Sequence, residues 1–168
     1  NVVPVTNMVW ISPGTFVMGS PTNEAERNMN EVQHTVTLTK GFFMGKYPVT
    51  QGEYLALIGS NPSYFTGNLG RPVEQVSWID ATNYCARLTQ QEQTAGRLTT
   101  GWVYRLPTES EWEYACRAAT TTAFHYGNAL RGGMANFNDQ YEYDATNGTI
   151  YVPNPTVPPL TGDRKSVV

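Results

Sequence analysis

The side chains able to do chemistry in this 168-residue chain are few and scattered. There are two cysteines, Cys85 and Cys116, and two histidines, His34 and His125. Two thiols make neither a disulfide framework nor a metal cluster by themselves. Each falls on the apolar stripe of an expected helix, which leaves two readings open. They are buried free thiols, the common fate of cysteine in a core, or they are joined as one disulfide. Neither histidine has a second His or Cys at ligand spacing, so both are read as structural. Arg105, Glu109 and Glu111 form a compact charged group. Arg105 is expected to pair with a carboxylate, and Glu111 to close a capping box. No Ser-His-Asp arrangement, phosphate-binding glycine loop or paired-carboxylate motif is evident.

The elements that must position these groups are short. Met8-Val9-Trp10-Ile11 and Thr15 to Gly19 flank Pro13-Gly14 and read as a hairpin. Residues 20–33 are polar and read as a surface loop. His34 to Thr39 alternates, with Val36 and Leu38 on one face of a strand. Phe42 begins another strand that runs to Val49.

Three helices follow from their caps. Thr50 and Glu53 have capping-box spacing ahead of Tyr54, Leu55, Leu57 and Ile58, and Gly59 ends that helix. Ser77 opens a longer helix, with Asp80 in the first turn and an inner stripe of Ala81, Tyr84, Cys85 and Leu88. That helix runs to Gly96. Trp102 to Leu106 reads as a strand ended by Pro107. Thr108 and Glu111 then repeat the capping box before Trp112, Ala115, Cys116 and Ala119, the expected inner stripe of the third helix. From residue 120 onward Thr, Gly, Asn and Asp dominate, and the expectation is irregular chain. Tyr126, Tyr141, Tyr143 and Tyr151 lie among them, a composition that suits a recognition surface or an ordinary loop coat.

Composition agrees with a loop-rich α+β domain. Charged residues are 15% and hydrophobic residues 40%, with 15 Gly, 11 Pro and 10 Tyr. The net charge of −3 offers no footprint for nucleic acid. No apolar run approaches the roughly 18 residues that span a bilayer. The first residues lack the basic segment and apolar core of a signal peptide.

Three segments together resemble one family. They are Met8 to Ser20; Tyr47-Pro48-Val49-Thr50-Gln51-Gly52-Glu53-Tyr54 with Pro72 to Trp78; and Tyr104-Arg105-Leu106-Pro107-Thr108-Glu109-Ser110-Glu111-Trp112-Glu113-Tyr114-Ala115. Their order and spacing are similar to the formylglycine-generating-enzyme, or sulfatase-modifying-factor, domain. The resemblance covers roughly residues 7–155 of what reads as a single domain, with residues 156–168 an atypical tail. It implies a C-type-lectin-like, loop-rich α+β fold, incomplete at its C-terminal side. Enzymatic members of that family oxidise a sulfatase cysteine to formylglycine with copper held by two cysteines. The family's late segments and that cysteine pair find no match here, and the positions of Cys85 and Cys116 differ from it. No catalytic residue is therefore carried over, and copper is not expected.

The family resemblance also implies calcium. Asn136 and Phe137 fit the place of a calcium-binding segment, and Asp139 and Asp144 offer further hard oxygens. The function expected is that of a non-catalytic binding or accessory scaffold, with a protein or small-molecule ligand. The alternatives are part of a copper-dependent oxidase, or a folded fragment with no selected function. Trp78 and Trp112 are expected to be left exposed, and self-association through such surface is expected to follow.

Overall fold

The computed structural model describes residues 7–135, 138 and 140–152. Ten elements follow in order: β1 (Met8–Ile11), β2 (Gly14–Met18), β3 (His34–Leu38), β4 (Phe42–Gly45), α1 (Gln51–Ile58), α2 (Trp78–Thr94), α3 (Glu109–Arg117), β5 (Ala129–Leu130), β6 (Tyr141–Asp144) and β7 (Gly148–Tyr151). The architecture is α+β. None of the described helices is long and apolar enough to cross a membrane. The described chain forms two compact units. One holds the residues up to Ile11 together with Phe42–Pro107, and the other holds Ser12–Gly41 and the described residues from Thr108 on.

In the first unit β1 pairs antiparallel with β4, setting Trp10 opposite Phe43 with their rings edge to face at 4.9 Å. This overturns the expected β1–β2 hairpin. A two-residue hairpin loop of the favoured types needs a positive φ in the loop, and Pro13 is locked near −65°. β1 and β2 therefore join different sheets. Both expected capping boxes form, at Thr50 and Thr108, and the expected cap at Ser77 proves to be a third box. Thr50, Ser77 and Thr108 each accept from the backbone N–H three residues on, and Glu53, Asp80 and Glu111 each reach back to the cap. Gly59 ends α1 at φ 88°, where a side chain would be strained. Tyr54 of α1 stacks on Tyr84 of α2 at 5.5 Å, both rings buried.

Residues 102–106 are extended but belong to no sheet. α2 supplies side chains in place of a partner strand. The Thr89 hydroxyl accepts from Tyr104 N–H at 2.9 Å, and Gln93 donates to Trp102 C=O at 3.4 Å. Their backbone needs are met by a helix face.

In the second unit β2 pairs with β3, Phe16 opposite Val36, and Phe16 packs on Tyr114 of α3. Gly14 is required there, because the Cβ of any other residue would fall on the Tyr114 hydroxyl. Trp112 is exposed, and Ala119 lies beyond the end of α3, which closes at Ala118 in the left-handed region. Residues beyond 120 carry a three-stranded sheet, β5-β6-β7, where irregular chain was expected. Glu142 and Asp144 share one face of β6 and pair with Arg131 at 3.1 and 3.2 Å. Ion pairs thus occupy positions where the alternation rule looks for apolar side chains.

Candidate functional site

A recess in the first unit lies between α2 and segment 102–106. Thr82, Cys85, Ala86 and Thr89 fall on one stripe of α2 by their three- and four-residue spacing. Val103, Tyr104, Arg105 and Leu106 form the opposite wall, and the groove holds about 350 Å³. Thr89 fixes its width by bonding both walls, donating to Cys85 C=O at 2.9 Å and accepting from Tyr104 N–H.

Cys85 is a free, half-buried thiol. Burial pushes its pKa up, so it rests as neutral SH rather than thiolate. No histidine or carboxylate lines the groove to take its proton. Burial also raises the Tyr104 phenol. The walls thus present a thiol, two threonines and apolar surface, with Arg105 at the rim donating to Leu106 C=O at 3.0 Å. That set can hold an apolar or weakly polar group. It has no activated nucleophile.

The remaining sequence candidates are placed as follows. Cys116, on α3, is half-buried, and burial raises its pKa. Glu111 closes its capping box with Thr108 N–H at 2.8 Å. His34 sits on β3, its Nδ1 2.9 Å from Val32 C=O. His125 stands edge to face with Tyr126.

Asn136, Phe137 and Asp139 of the calcium expectation lie outside the described residues. Asp144 is described, and both of its oxygens are engaged. One meets Arg131 at 3.2 Å and the other accepts from Thr146 N–H at 2.9 Å. Among the described residues, no cluster of three or more His, Cys, Asp or Glu is placed to hold a metal.

Two positioning residues escaped the sequence. Gln51, fully buried, donates to Phe65 C=O at 3.1 Å and Pro72 C=O at 3.4 Å, and accepts from Asn61 at 3.0 Å. Glu26, at φ 58°, accepts from both the backbone and the hydroxyl of Thr149 and covers that point of β7. Its carboxyl is held below the usual range by the bonds from Thr149. Thr89 and Gln51 are polar residues at helical core positions, and that conflict is the one signal that could have marked them.

The profile of the sulfatase-modifying factor enzyme 1-like domain matches residues 1–157. The chain is 34% identical over 157 residues to the chaperone protein LppX of Paenibacillus barcinonensis, covering 76% of this chain and 50% of that protein. It is 41% identical over 70 residues to the formylglycine-generating enzyme of Mycobacterium tuberculosis, covering 41% of this chain and 19% of that one. Among solved structures it is similar to PvdO from Pseudomonas aeruginosa, with a TM-score of 0.60 and 26% identity, covering 95% of this chain and 66% of that one. The chain therefore spans about half the length of LppX and a smaller part of the mycobacterial enzyme. On a match that takes in nearly every described element, the chain belongs to the sulfatase-modifying factor enzyme 1-like, formylglycine-generating-enzyme-like domain family.

Proposed function

We propose that this chain serves as a non-catalytic binding or accessory domain of its family. The observation that carries the reading is the state of Cys85. It lies in the groove along α2 as a thiol that burial keeps protonated, with no base among the lining residues. A groove of this kind accepts a ligand group more readily than it activates a nucleophile. The similarity to a protein named as a chaperone supports a non-enzymatic use of the same scaffold.

A second reading has one observation in its favour, the 41% identity to a formylglycine-generating enzyme. In that reading the chain contributes to a copper-dependent oxidase. One experiment separates the two. A Cys-x-Pro-x-Arg peptide is incubated with this chain, copper and oxygen, and the product is weighed for conversion of cysteine to formylglycine. No conversion is expected, and turnover would sink the non-catalytic reading. In parallel, peptide and glycan arrays are probed with the chain and with Cys85→Phe, which fills the groove. Binding lost in the variant supports a ligand seat there. Binding unaffected by it places the ligand elsewhere.

A further inference from the structure

The chain contains one Asn-Gly pair, Asn147-Gly148, and the fold sets it in the turn that joins β6 to β7. Asn147 N–H closes that turn on Asp144 C=O at 3.1 Å, and Thr146 N–H bonds the Asp144 carboxylate at 2.9 Å. The Asn147 side chain is exposed and makes no hydrogen bond among the described residues. Other asparagines are held. Asn61 bonds both Gln51 and Ser63, Asn68 accepts from Gly70 N–H, and Asn128 accepts from Ala123 N–H.

Asparagine is a chemically labile side chain, and a following glycine exposes it most to attack by its own backbone. Glycine has no Cβ to hinder the approach of its nitrogen to the side-chain carbon. Here the fold does not allow a slower residue in its place. Gly148 has φ 77°, and a Cβ on it would fall 2.8 Å from Glu26 Oε1.

The turn is docked on loop residues 24–26 at points on either side of Asn147. Ala25 N–H donates to Ala145 C=O at 2.8 Å. The Glu26 carboxylate takes Thr149 N–H at 2.9 Å and the Thr149 hydroxyl at 2.8 Å. Tyr143 O–H adds a bond to Ala25 C=O at 2.8 Å. Ala25 and Glu26 are neighbours in the chain, so their backbone anchors sit only about 3.8 Å apart. The chain from Ala145 to Thr149 must therefore keep its length for both anchors to hold.

We propose that Asn147 is a site of spontaneous modification whose product releases the β6–β7 turn from residues 24–26. Gly148 N gives up its proton to hydroxide and attacks Asn147 Cγ. The Cγ–Nδ2 bond breaks, the nitrogen takes a proton from water and leaves as ammonia, and a cyclic succinimide remains. Water then adds to either ring carbonyl, and the ring opens to an aspartyl or an isoaspartyl link. No oxidant or metal takes part. The isoaspartyl link routes the backbone through the former side chain and inserts one carbon between the two anchors. Either product also adds a carboxylate to a turn that already holds Asp144 and is covered by Glu26. The Ala25 and Glu26 contacts then no longer match the turn. While they last they restrain Asn147 and Gly148 from the rotation that ring closure needs, so docking slows the reaction. The proposal is independent of the groove and its ligand.

The purified chain is aged at neutral and mildly alkaline pH, digested, and the peptide that contains Asn147 is weighed. The mass increase of amide converted to acid is expected at Asn147, faster at the higher pH, with isoaspartate detected by enzymatic methylation. Anion exchange separates the isoaspartyl fraction, in which the Ala25 and Thr149 amides should exchange hydrogen faster than in fresh protein. Glu26→Ala frees the turn and should speed the conversion about tenfold, as expected for losing hydrogen bonds to a charged group. Asn147→Gln should abolish it. Should dichroism show Glu26→Ala unfolded, Thr149→Val takes its place, since it deletes only the hydroxyl bond, and a smaller acceleration is expected. No conversion at Asn147, a rate untouched in the folded variant, or Ala25 and Thr149 amides equally protected in fresh and isoaspartyl protein would each overturn the proposal.

Discussion

Gln51 ties three separated points of the chain together. Its amide holds Phe65, Pro72 and Asn61 from a fully buried position. Gln51→Leu keeps the volume and strips the bonds, leaving Pro72 C=O without its side-chain donor and the Asn61 amide without its acceptor. The expected cost is about 3 kcal/mol in urea unfolding, from the desolvation of unpaired buried polar groups. Tyr84 offers a test by pH. Burial, aided by the negative charge of Glu53, pushes its phenol up to about 12 from 10.0. The folded state therefore binds this proton more tightly than the unfolded state does. Stability from this group is intact below pH 10 and declines as pH rises toward 12. Tyr84→Phe should flatten that part of the alkaline decline, measured by denaturant unfolding at stepped pH.

At the scale of elements, the helices were the most legible part of the sequence. A Ser or Thr followed three residues later by an acid is a local signal, and local hydrogen bonds settle it. That is why the starts of α1, α2 and α3 agree with expectation. Strand pairing was less legible, since it depends on partners distant in sequence. Pro13 could have warned against the β1–β2 hairpin, yet nothing local names β4 as the partner of β1. Segment 102–106 read correctly as extended and wrongly as a strand, because the Thr89 side chain substitutes for a ladder. Thr89→Val tests this substitution. It should cost about 1–2 kcal/mol and speed exchange of the Tyr104 amide, because that N–H loses its acceptor. The β5–β7 sheet was invisible because Glu142 and Asp144 face Arg131 rather than an apolar core. The candidate site was half legible. Cys85 and its helix face stood out, but the groove exists only once segment 102–106 lies along α2.

For the molecule as a whole, the described residues bury few apolar side chains, namely Met18, Tyr54 and Tyr84. Many large ones remain exposed, in both compact units. Native protein in dilute solution should bind an environment-sensitive dye such as anilinonaphthalene sulfonate and brighten it. Its near-ultraviolet dichroism should persist, which separates exposed native surface from a molten state. A dark dye at every concentration would show that these faces are covered in solution.

The division of the chain also bears on how it is made. Each compact unit is assembled from two separated stretches, so neither can be finished as one run leaves the ribosome. β2 and β3 meet early, while β1 waits for β4 with Val9 and Trp10 bare. The clamp that Glu113 places on Gly19 spans a separation of 94 residues. At ordinary rates of synthesis that is a delay on the order of ten seconds. During that interval the nascent chain presents aromatic segments to any chaperone near the exit tunnel. Slow codons placed between residues 45 and 108 would lengthen that exposure, and the yield of soluble protein should fall accordingly.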